Sequence, residues 1–498
     1  MRMAKSAHVN KRIFVTVLVV LILVNSYHLW LGKRYFSHIA RAALHDRQAQ
    51  FRDNFYYLLD KYAPRCSPLE LVGSAGWPRY DAVFETVRKN HINNADEILR
   101  PMQIAHDGFV QSIQKLDVPY LILTEGIVSS AGGKYMPTFV VTLRLLRRTR
   151  CTLPVELFVK DSTEYEPQIC ERILPELNAR CVVLSEVMGL EEPKNSNKAN
   201  RADGVKIEHY QLKSFAVLFS SFEKVIWLDA DCIPIHNPAI LLTTDPFQST
   251  GLVTWPDYWA STISPLYFTI SRQPEFPSTD RATTEAGVFL VSKKAHSRTL
   301  LLAAYYNYYG PSHYYHLLDQ GAPGEGDKDT FIQAAAAVGE KFYTVSEKVA
   351  DLGHQRYEGN DHDIIHVAML QADPMEDYKL TQQGKWRVED TSEAPAPRAF
   401  FIHANMVKFN PGEKLLEESS NKNDDGRRRM WAAPETSVRR LEYDVERAAW
   451  EEVMAVSCTL RSAFETWEAG DGLCEDVKMH WAAVFENRDT DGLHFTQQ

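Results

Sequence analysis

Residues 225–228 (Val-Ile-Trp-Leu) form an apolar run that stops at two carboxylates, Asp229 and Asp231, before the chain turns at Pro234. A run that short, bounded by polar residues and a proline, reads as one buried strand. Spaced i and i+2 where a strand gives out, both carboxylates can converge on one cation. Two hard oxygen donors suit Mn²⁺ or Mg²⁺, which complete their coordination on water and substrate phosphates. A bare Asp-x-Asp is also an ordinary polar strand end, so the surrounding chain decides its meaning.

From residue 118 apolar runs alternate with helical patterns. Tyr120–Thr124 reads as a strand, followed by Gly132-Gly133-Lys134 and a helix over 135–148 with Phe139, Leu143 and Leu146 on one face. Strands over 155–159 and 181–184 flank a helix near 165–178, and a helix over about 206–222 leads into the strand at 225–228. This order predicts an α/β fold with a mainly parallel sheet and helices on both faces. Ligands in such sheets bind beyond the carboxyl ends of the strands, where Asp229 and Asp231 would stand.

The chain of 498 residues is longer than one core usually supports, and its net charge of −10 argues against a nucleic-acid partner. Ile13 to Leu31 is a 19-residue stretch without a formal charge. At about 1.5 Å per residue it nearly spans a hydrocarbon core of roughly 30 Å. Arg2, Lys5, Lys11 and Arg12 precede it, which favours a cytoplasmic amino terminus. The rival, a cleaved signal peptide, finds no small-x-small site after the span. The reading is a type II protein: tail 1–12, transmembrane anchor 13–31, stem 32–117 ending in helices near 78–115, catalytic unit 118–415, and extension 416–498. The extension opens with a polar link around 421–429 and holds two helices within 436–485. Seven cysteines leave at least one thiol unpaired within the chain, with Cys458 and Cys474 close enough in sequence for a local pair.

The run Tyr210–Ser214 through Ser220–Asp231 resembles the fungal α-mannosyltransferases of glycosyltransferase family 71. Further matching blocks are Gly133-Lys134-Tyr135, Trp255-Pro256-Asp257-Tyr258-Trp259, Thr284-Glu285-Ala286-Gly287, Tyr305–Pro311, Gln320–Phe331 and Phe401–Asn405. They cover roughly residues 118–415 in order, and the likeness is strongest to the α-1,2-mannosyltransferases that branch outer-chain mannan. The resemblance implies a GT-A fold, a GDP-mannose donor, Mn²⁺ and a Golgi address. A more distant likeness is to the retaining transferases of the glycogenin class, which carry a lysine sixteen residues before the Asp-x-Asp, as Lys213 stands here. Their Asn-x-Gly is Glu285-Ala286-Gly287 in this chain, their Asp-Gln-Asp is Asp327-Lys328-Asp329, and their histidine before Gly-x-x-Lys is His403 before Lys408 without the glycine.

Transfer from a nucleotide sugar expels a diphosphate, so the dominant need is to stabilise charge on that leaving group. Asp229 and Asp231 would hold the cation, with His403, at the end of the apolar run 400–402, as third ligand. Lys213, Lys408 and the Gly133-Lys134 loop would face the diphosphate and nucleotide. Glu285, just before an apolar strand at 288–291, and Asp327, at the start of a helix over 327–338, are the carboxylates for the sugar. The plainer roles are a helix cap for Asp327 and a hydrogen-bonded histidine for His403. Trp255, Asp257 and Trp259 are expected in the acceptor cleft. Partners would be a nucleotide sugar, a mannan or glycoprotein glycan, one membrane and a Golgi transferase complex. The alternative is a catalytically silent scaffold or binding subunit of a mannan-synthesising complex, against which the intact Asp229, Asp231, Glu285 and His403 count.

Overall fold

The computed structural model describes residues 40–190, 207–324, 326–355, 364–413, 415–416, 422–423, 426–467 and 472–486. The expected anchor, 13–31, lies outside them. Among the described residues no helix is long and apolar enough to cross a membrane.

The strands that build the site are β1 (Leu121–Ser130), β2 (Val155–Val159), β3 (Ala179–Val183), β4 (Phe222–Leu228) and β5 (Cys232–Pro234). They are followed by β6 (Leu252–Ala260), β7 (Ala282–Ser292), β8 (Tyr343–Thr344), β9 (Ala350–Gln355), β10 (Ile364–Ala372) and β11 (Ala399–His403). One sheet has the order β3-β2-β1-β4-β7-β6-β8, and a second has the order β5-β11-β10-β9. The expected parallel pairing holds from β3 to β4. Beyond β4 the sheet turns antiparallel, because β7 pairs β4 and β6 in that sense. The sheet is therefore mixed.

Alternation along each strand explains how one sheet serves two cores. Val155, Leu157, Val159, Ile226, Leu228, Val288 and Leu290 face one cluster, with helix Met136–Arg148 and helix Val445–Thr459. Phe158, Val225, Trp227, Phe289 and Val291 face the other, with helices Gln211–Phe219 and Ser297–Tyr308. Helices thus cover both faces.

Several boundaries differ from the sequence reading. β1 runs on to Ser130, paired on both sides, with an irregularity between Leu121 and Glu125. Lys224 Nζ reaches Glu125 Oε1 at 2.9 Å, which lets a carboxylate sit in an interior strand. Gly126 is required there, since a Cβ would come within 2.4 Å of the Phe222 ring. The docking helix expected near 78–115 is present but starts later, as Ala95–Ile113 with Met102 and Phe109 in the second core, and a helix over 40–61, where the sequence reads as spacer, adds Phe51 and Phe55 to it. The extension likewise joins the first core through Trp450, Val453 and Trp467. Disulfides link Cys170 to Cys181 and Cys458 to Cys474, while Cys66, Cys151 and Cys232 are free thiols.

Candidate active site

The Asp-x-Asp lies where the two sheets meet. β4 ends at Leu228 and β5 begins at Cys232, so Asp229 and Asp231 occupy the corner between them. Register brings in the histidine: β11 pairs β5 with His403 opposite Cys232, and Ala404 N–H donates to Asp231 O at 3.0 Å. The ligand atoms of Asp229, Asp231 and His403 all lie within 4.8 Å of one another. Thr142, on helix Met136–Arg148, donates to Ala230 O at 2.7 Å and fixes the corner from below. Trp227 Nε1–H donates to Asp229 Oδ1 at 2.7 Å and orients that carboxylate.

Two carboxylates and an imidazole are a donor set that fits Mn²⁺ or Mg²⁺. The surroundings support the fit. His403 Nε2 stands 3.2 Å from Asp231 Oδ1 and Nδ1 stands 2.9 Å from Glu285 Oε1. The second approach is close but out of line with an N–H, and His403 Nδ1 and Glu285 Oε2 are buried without a hydrogen bond. Burial would push the imidazole pKa down, but the flanking carboxylates of Glu285 and Asp231 hold it well above the usual range, so a cation would bind there by displacing a proton. Burial would likewise raise Asp231, yet His403 and Lys408 pull it well below.

Lys213 is carried by helix Gln211–Phe219, which packs on the sheet face opposite to the helix holding the corner. Its Nζ donates to Ala286 O at 2.6 Å and stands 3.2 Å from Asp229 Oδ1 and 3.3 Å from Asp327 Oδ2. The expected helix lysine is thus a buried charge held by two carboxylates. Asp327 does not cap a helix: the helix begins at Thr330 with Asp329 at its N-cap position. Burial pushes the Asp327 carboxyl up to about 6 against the pull of Lys213. Glu285 lies inside β7, because pairing with Trp255 of β6 extends that strand well before the apolar stretch. Gly287 N–H donates to Glu285 Oε1 at 2.5 Å, and Gly287 O accepts from Asp229 N–H at 2.8 Å. One strand end therefore joins Glu285 to the corner.

Lys408 donates to Asp231 Oδ2 and, at 3.0 Å, to Asn405 O. Gly133 has φ +51, Lys134 is exposed, and the Lys134 carbonyl accepts from Asn410 Nδ2 at 2.8 Å. The structure parts from the sequence at Trp255 among the expected acceptor residues. Trp255 is fully buried, donating from Nε1 to Ala372 O at 2.8 Å against the Phe401 ring, so it has no free face for a sugar. Asp257 pairs with Lys328 Nζ at 3.2 Å. Trp259 is half-buried, with the Arg79 guanidinium 4.4 Å above its ring. The sequence reading missed Trp227, whose place before the Asp-x-Asp was the available signal. It also missed Asp329, which accepts from Thr284 N–H at 2.9 Å and holds the start of β7. No sequence pattern points to Asn410.

With this geometry in hand, similarity can be read against the site. The Mannosyl_trans3 mannosyltransferase family model matches residues 124–283 and 275–373, which include Lys213, the Asp-x-Asp, Glu285 and Asp327. The α-1,2-mannosyltransferase MNN21 of Candida albicans is 33% identical over 455 residues, 80% of this chain and 68% of that protein. The chain belongs to this mannosyltransferase family. The α-1,2-mannosyltransferase MNN2 of Saccharomyces cerevisiae is 29% identical over 76% of this chain and 71% of its own. Another α-1,2-mannosyltransferase, MNN24 of C. albicans, is 34% identical over 62% of this chain but only 50% of its own. The chain thus spans between half and three quarters of the length of these relatives. The galactosyltransferase LgtC, solved with donor and acceptor sugar analogs, aligns over 45% of this chain and 73% of its own at 15% identity and a TM-score of 0.28. That overlap is too small to carry an argument, and the mannosyltransferase assignment rests on the sequence relatives.

Proposed function

We propose that this family member moves mannose from GDP-mannose to α-mannoside acceptors of fungal glycoproteins or cell-wall mannan, retaining the anomeric configuration and forming α-1,2 linkages. It would work as a single-pass type II protein of the Golgi membrane with its catalytic part in the lumen. One observation carries the reading: Asp229, Asp231 and His403 converge beside Lys213, Glu285 and Asp327 in a chain of the mannosyltransferase family. The names of the relatives support mannose and the α-1,2 linkage. The family resemblance supports the donor and the Golgi address, and the apolar stretch 13–31 supports the anchor.

Mn²⁺ or Mg²⁺ held by Asp229, Asp231 and His403 would offset the charge growing on the leaving diphosphate. Lys213 adds a fixed positive charge whose pKa is held up against burial by Asp229, Asp327 and Glu285. Lys408 can exchange its carboxylate for a phosphate oxygen, and Gly133 and Lys134 open a backbone approach to the nucleotide. Glu285, whose Oε2 is buried without a hydrogen bond, and Asp327, whose Oδ2 pairs with Lys213, are the groups for the sugar. A carboxylate there either attacks the anomeric carbon or stabilises its positive charge. The silent-subunit alternative leaves this convergence of charged groups without a purpose. The test is a panel of nucleotide sugars with Mn²⁺, assayed for nucleotide release with and without α-mannosides. Mannose transfer from GDP-mannose is expected, and release from another nucleotide sugar alone would overturn the reading.

A further inference from the structure

A cavity of about 660 Å³ is lined by Asp257, the partner of Lys328. Its size falls in the range of pockets that enclose a small molecule. Arg79 and Tyr80 line it from one segment and Asp257 and Tyr258 from β6, and Arg281 and Trp386 are among its other lining residues. The first segment comes from the stem. Residues 77–80 lie along β6 like an added strand, with Tyr80 N–H donating to Tyr258 O and Ala260 N–H donating to Pro78 O, both at 2.9 Å.

Two features suit a neutral, hydroxyl-rich ligand. The first is aromatic: the Trp386 side chain is 44% exposed, and an indole face is a platform for the apolar face of a sugar ring. The second is polar: Arg281 lines the cavity with its guanidinium stacked 3.9 Å from the Phe276 ring, and Tyr80, Ser346 and Thr344 add hydroxyl groups to the lining. Asp257, Asp280 and Glu389 balance the cations on the walls, which disfavours an anionic occupant. The cavity is also tied to the cleft. Asp257 bonds Lys328, the neighbour of Asp327, and Ala282 on its wall lies three residues before Glu285 along β7. At about 3.3 Å per residue, roughly 10 Å separates the wall from that carboxylate. This is too far for the reacting hydroxyl and close enough for sugars joined to it.

We infer that this cavity is a remote acceptor subsite that holds the non-reacting sugars of an α-mannoside chain, with Trp386 as platform and stem residues 77–80 as outer wall. The identity of the occupant rests on the proposed mannosyltransferase activity. Sugars bound there contribute binding energy away from the chemistry, so longer acceptors are the better substrates. The test compares methyl α-mannoside with α-mannotetraose on the full chain, by kcat/KM with GDP-mannose and by calorimetric binding. Wild type is expected to prefer the tetraose. Trp386→Ala is expected to lower the tetraose-to-monosaccharide ratio and tetraose affinity about tenfold, a common loss for a buried aromatic anchor, with Trp386→Phe recovering most of it. Wild type that uses both acceptors equally overturns the subsite and leaves the activity standing. Unchanged tetraose binding in a Trp386→Ala protein with the wild-type melting temperature also overturns it. Tetraose binding that depends on Trp386, without mannose transfer from any donor, supports the subsite and overturns the activity.

Discussion

Lys213 and Asp327 form a buried ion pair, Nζ to Oδ2 at 3.3 Å, and the same ammonium reaches Asp229. Helix Gln211–Phe219 and the loop before Thr330 are thereby locked to the Asp229–Asp231 corner through one side chain. Removing the cation strands two carboxylates. Lys213→Ala is expected to cost about 3–5 kcal/mol, the scale of breaking a buried pair, read as a lower urea midpoint. It should also abolish nucleotide release without acceptor. A wild-type midpoint would mean that the pair does not hold the site together.

Metal binding at the Asp229–Asp231 corner, as proposed, makes a second prediction. Asp229→Ala and Asp231→Ala should each remove Mn²⁺-dependent transfer and the rise in melting temperature that saturating Mn²⁺ gives the wild type. His403→Ala should raise the Mn²⁺ requirement more mildly, because two carboxylates remain. Calorimetric titration with Mn²⁺ checks all three, and undiminished Mn²⁺ binding in the aspartate variants would reduce the pair to a structural strand end.

Glu285→Gln keeps the shape of the side chain, and its amide oxygen can still accept from Gly287 N–H. What is lost is the negative charge that faces His403 and, in the proposed reaction, the sugar. Donor affinity should stay near wild type while kcat falls on the order of 100-fold, the pattern of an interaction made chiefly in the transition state. Lost stability with normal turnover per folded molecule would assign Glu285 to the fold, and the sugar-side role would pass to Asp327.

The corner itself was legible because an apolar run ending in Asp229 and Asp231 is a local pattern, and helices alternating with strands set its place at a strand end. His403 was legible only in part: its apolar run marks a strand, but a register against Cys232 is a long-range fact. Trp255 misled because aromatic type does not tell which face of a strand is covered, and β6 turns this ring toward Phe401. Residues 32–117 read as a spacer ending in helices near 78–115 because prolines break the periodicity before them, yet extended segments such as 77–80 dock by backbone pairing, which leaves no hydrophobic period.

Lys293 offers a pH test outside the site. Its Nζ donates to Leu218 O at 3.0 Å and Ser220 O at 2.6 Å, closing the end of the helix that carries Lys213. Burial lowers its pKa to about 7 from the ordinary 10.5. Between those values the unfolded chain binds the proton and the folded one does not, so stability rises with pH. This contribution is complete above about 10.5, falls as the pH drops to about 7, and is flat below. The difference in unfolding free energy between wild type and Lys293→Met should therefore shift in favour of wild type by up to about 1.4 kcal/mol per pH unit between pH 7 and 9. Parallel denaturation curves at the two pH values check it, and a constant difference would show that Lys293 is charged throughout.

Asn410 joins three parts of the molecule that no local pattern connects. Its Nδ2 donates to Lys134 O at 2.8 Å, while its Oδ1 accepts from Gly412 N–H at 3.1 Å and from Trp467 Nε1–H at 2.8 Å. Gly412 lies so close to the indole that a Cβ would come within 2.3 Å of Trp467. The C-terminal extension thus buttresses the two loops that carry Lys134 and Lys408. Asn410→Ala leaves these partners unpaired in a buried setting, at a cost of about 1–3 kcal/mol, and Trp467→Phe removes a single hydrogen bond for about 1 kcal/mol. If both loops grip the donor, Asn410→Ala should raise the KM for GDP-mannose about tenfold at temperatures well below its melting point, through misplacement of groups it does not itself replace. The KM for acceptor should stay within about twofold, because the proposed acceptor subsite involves neither Asn410 nor its partners. Trp467→Phe should move the donor KM in the same direction by less. A lower melting temperature with an unchanged donor KM would confine Asn410 to holding the extension in place.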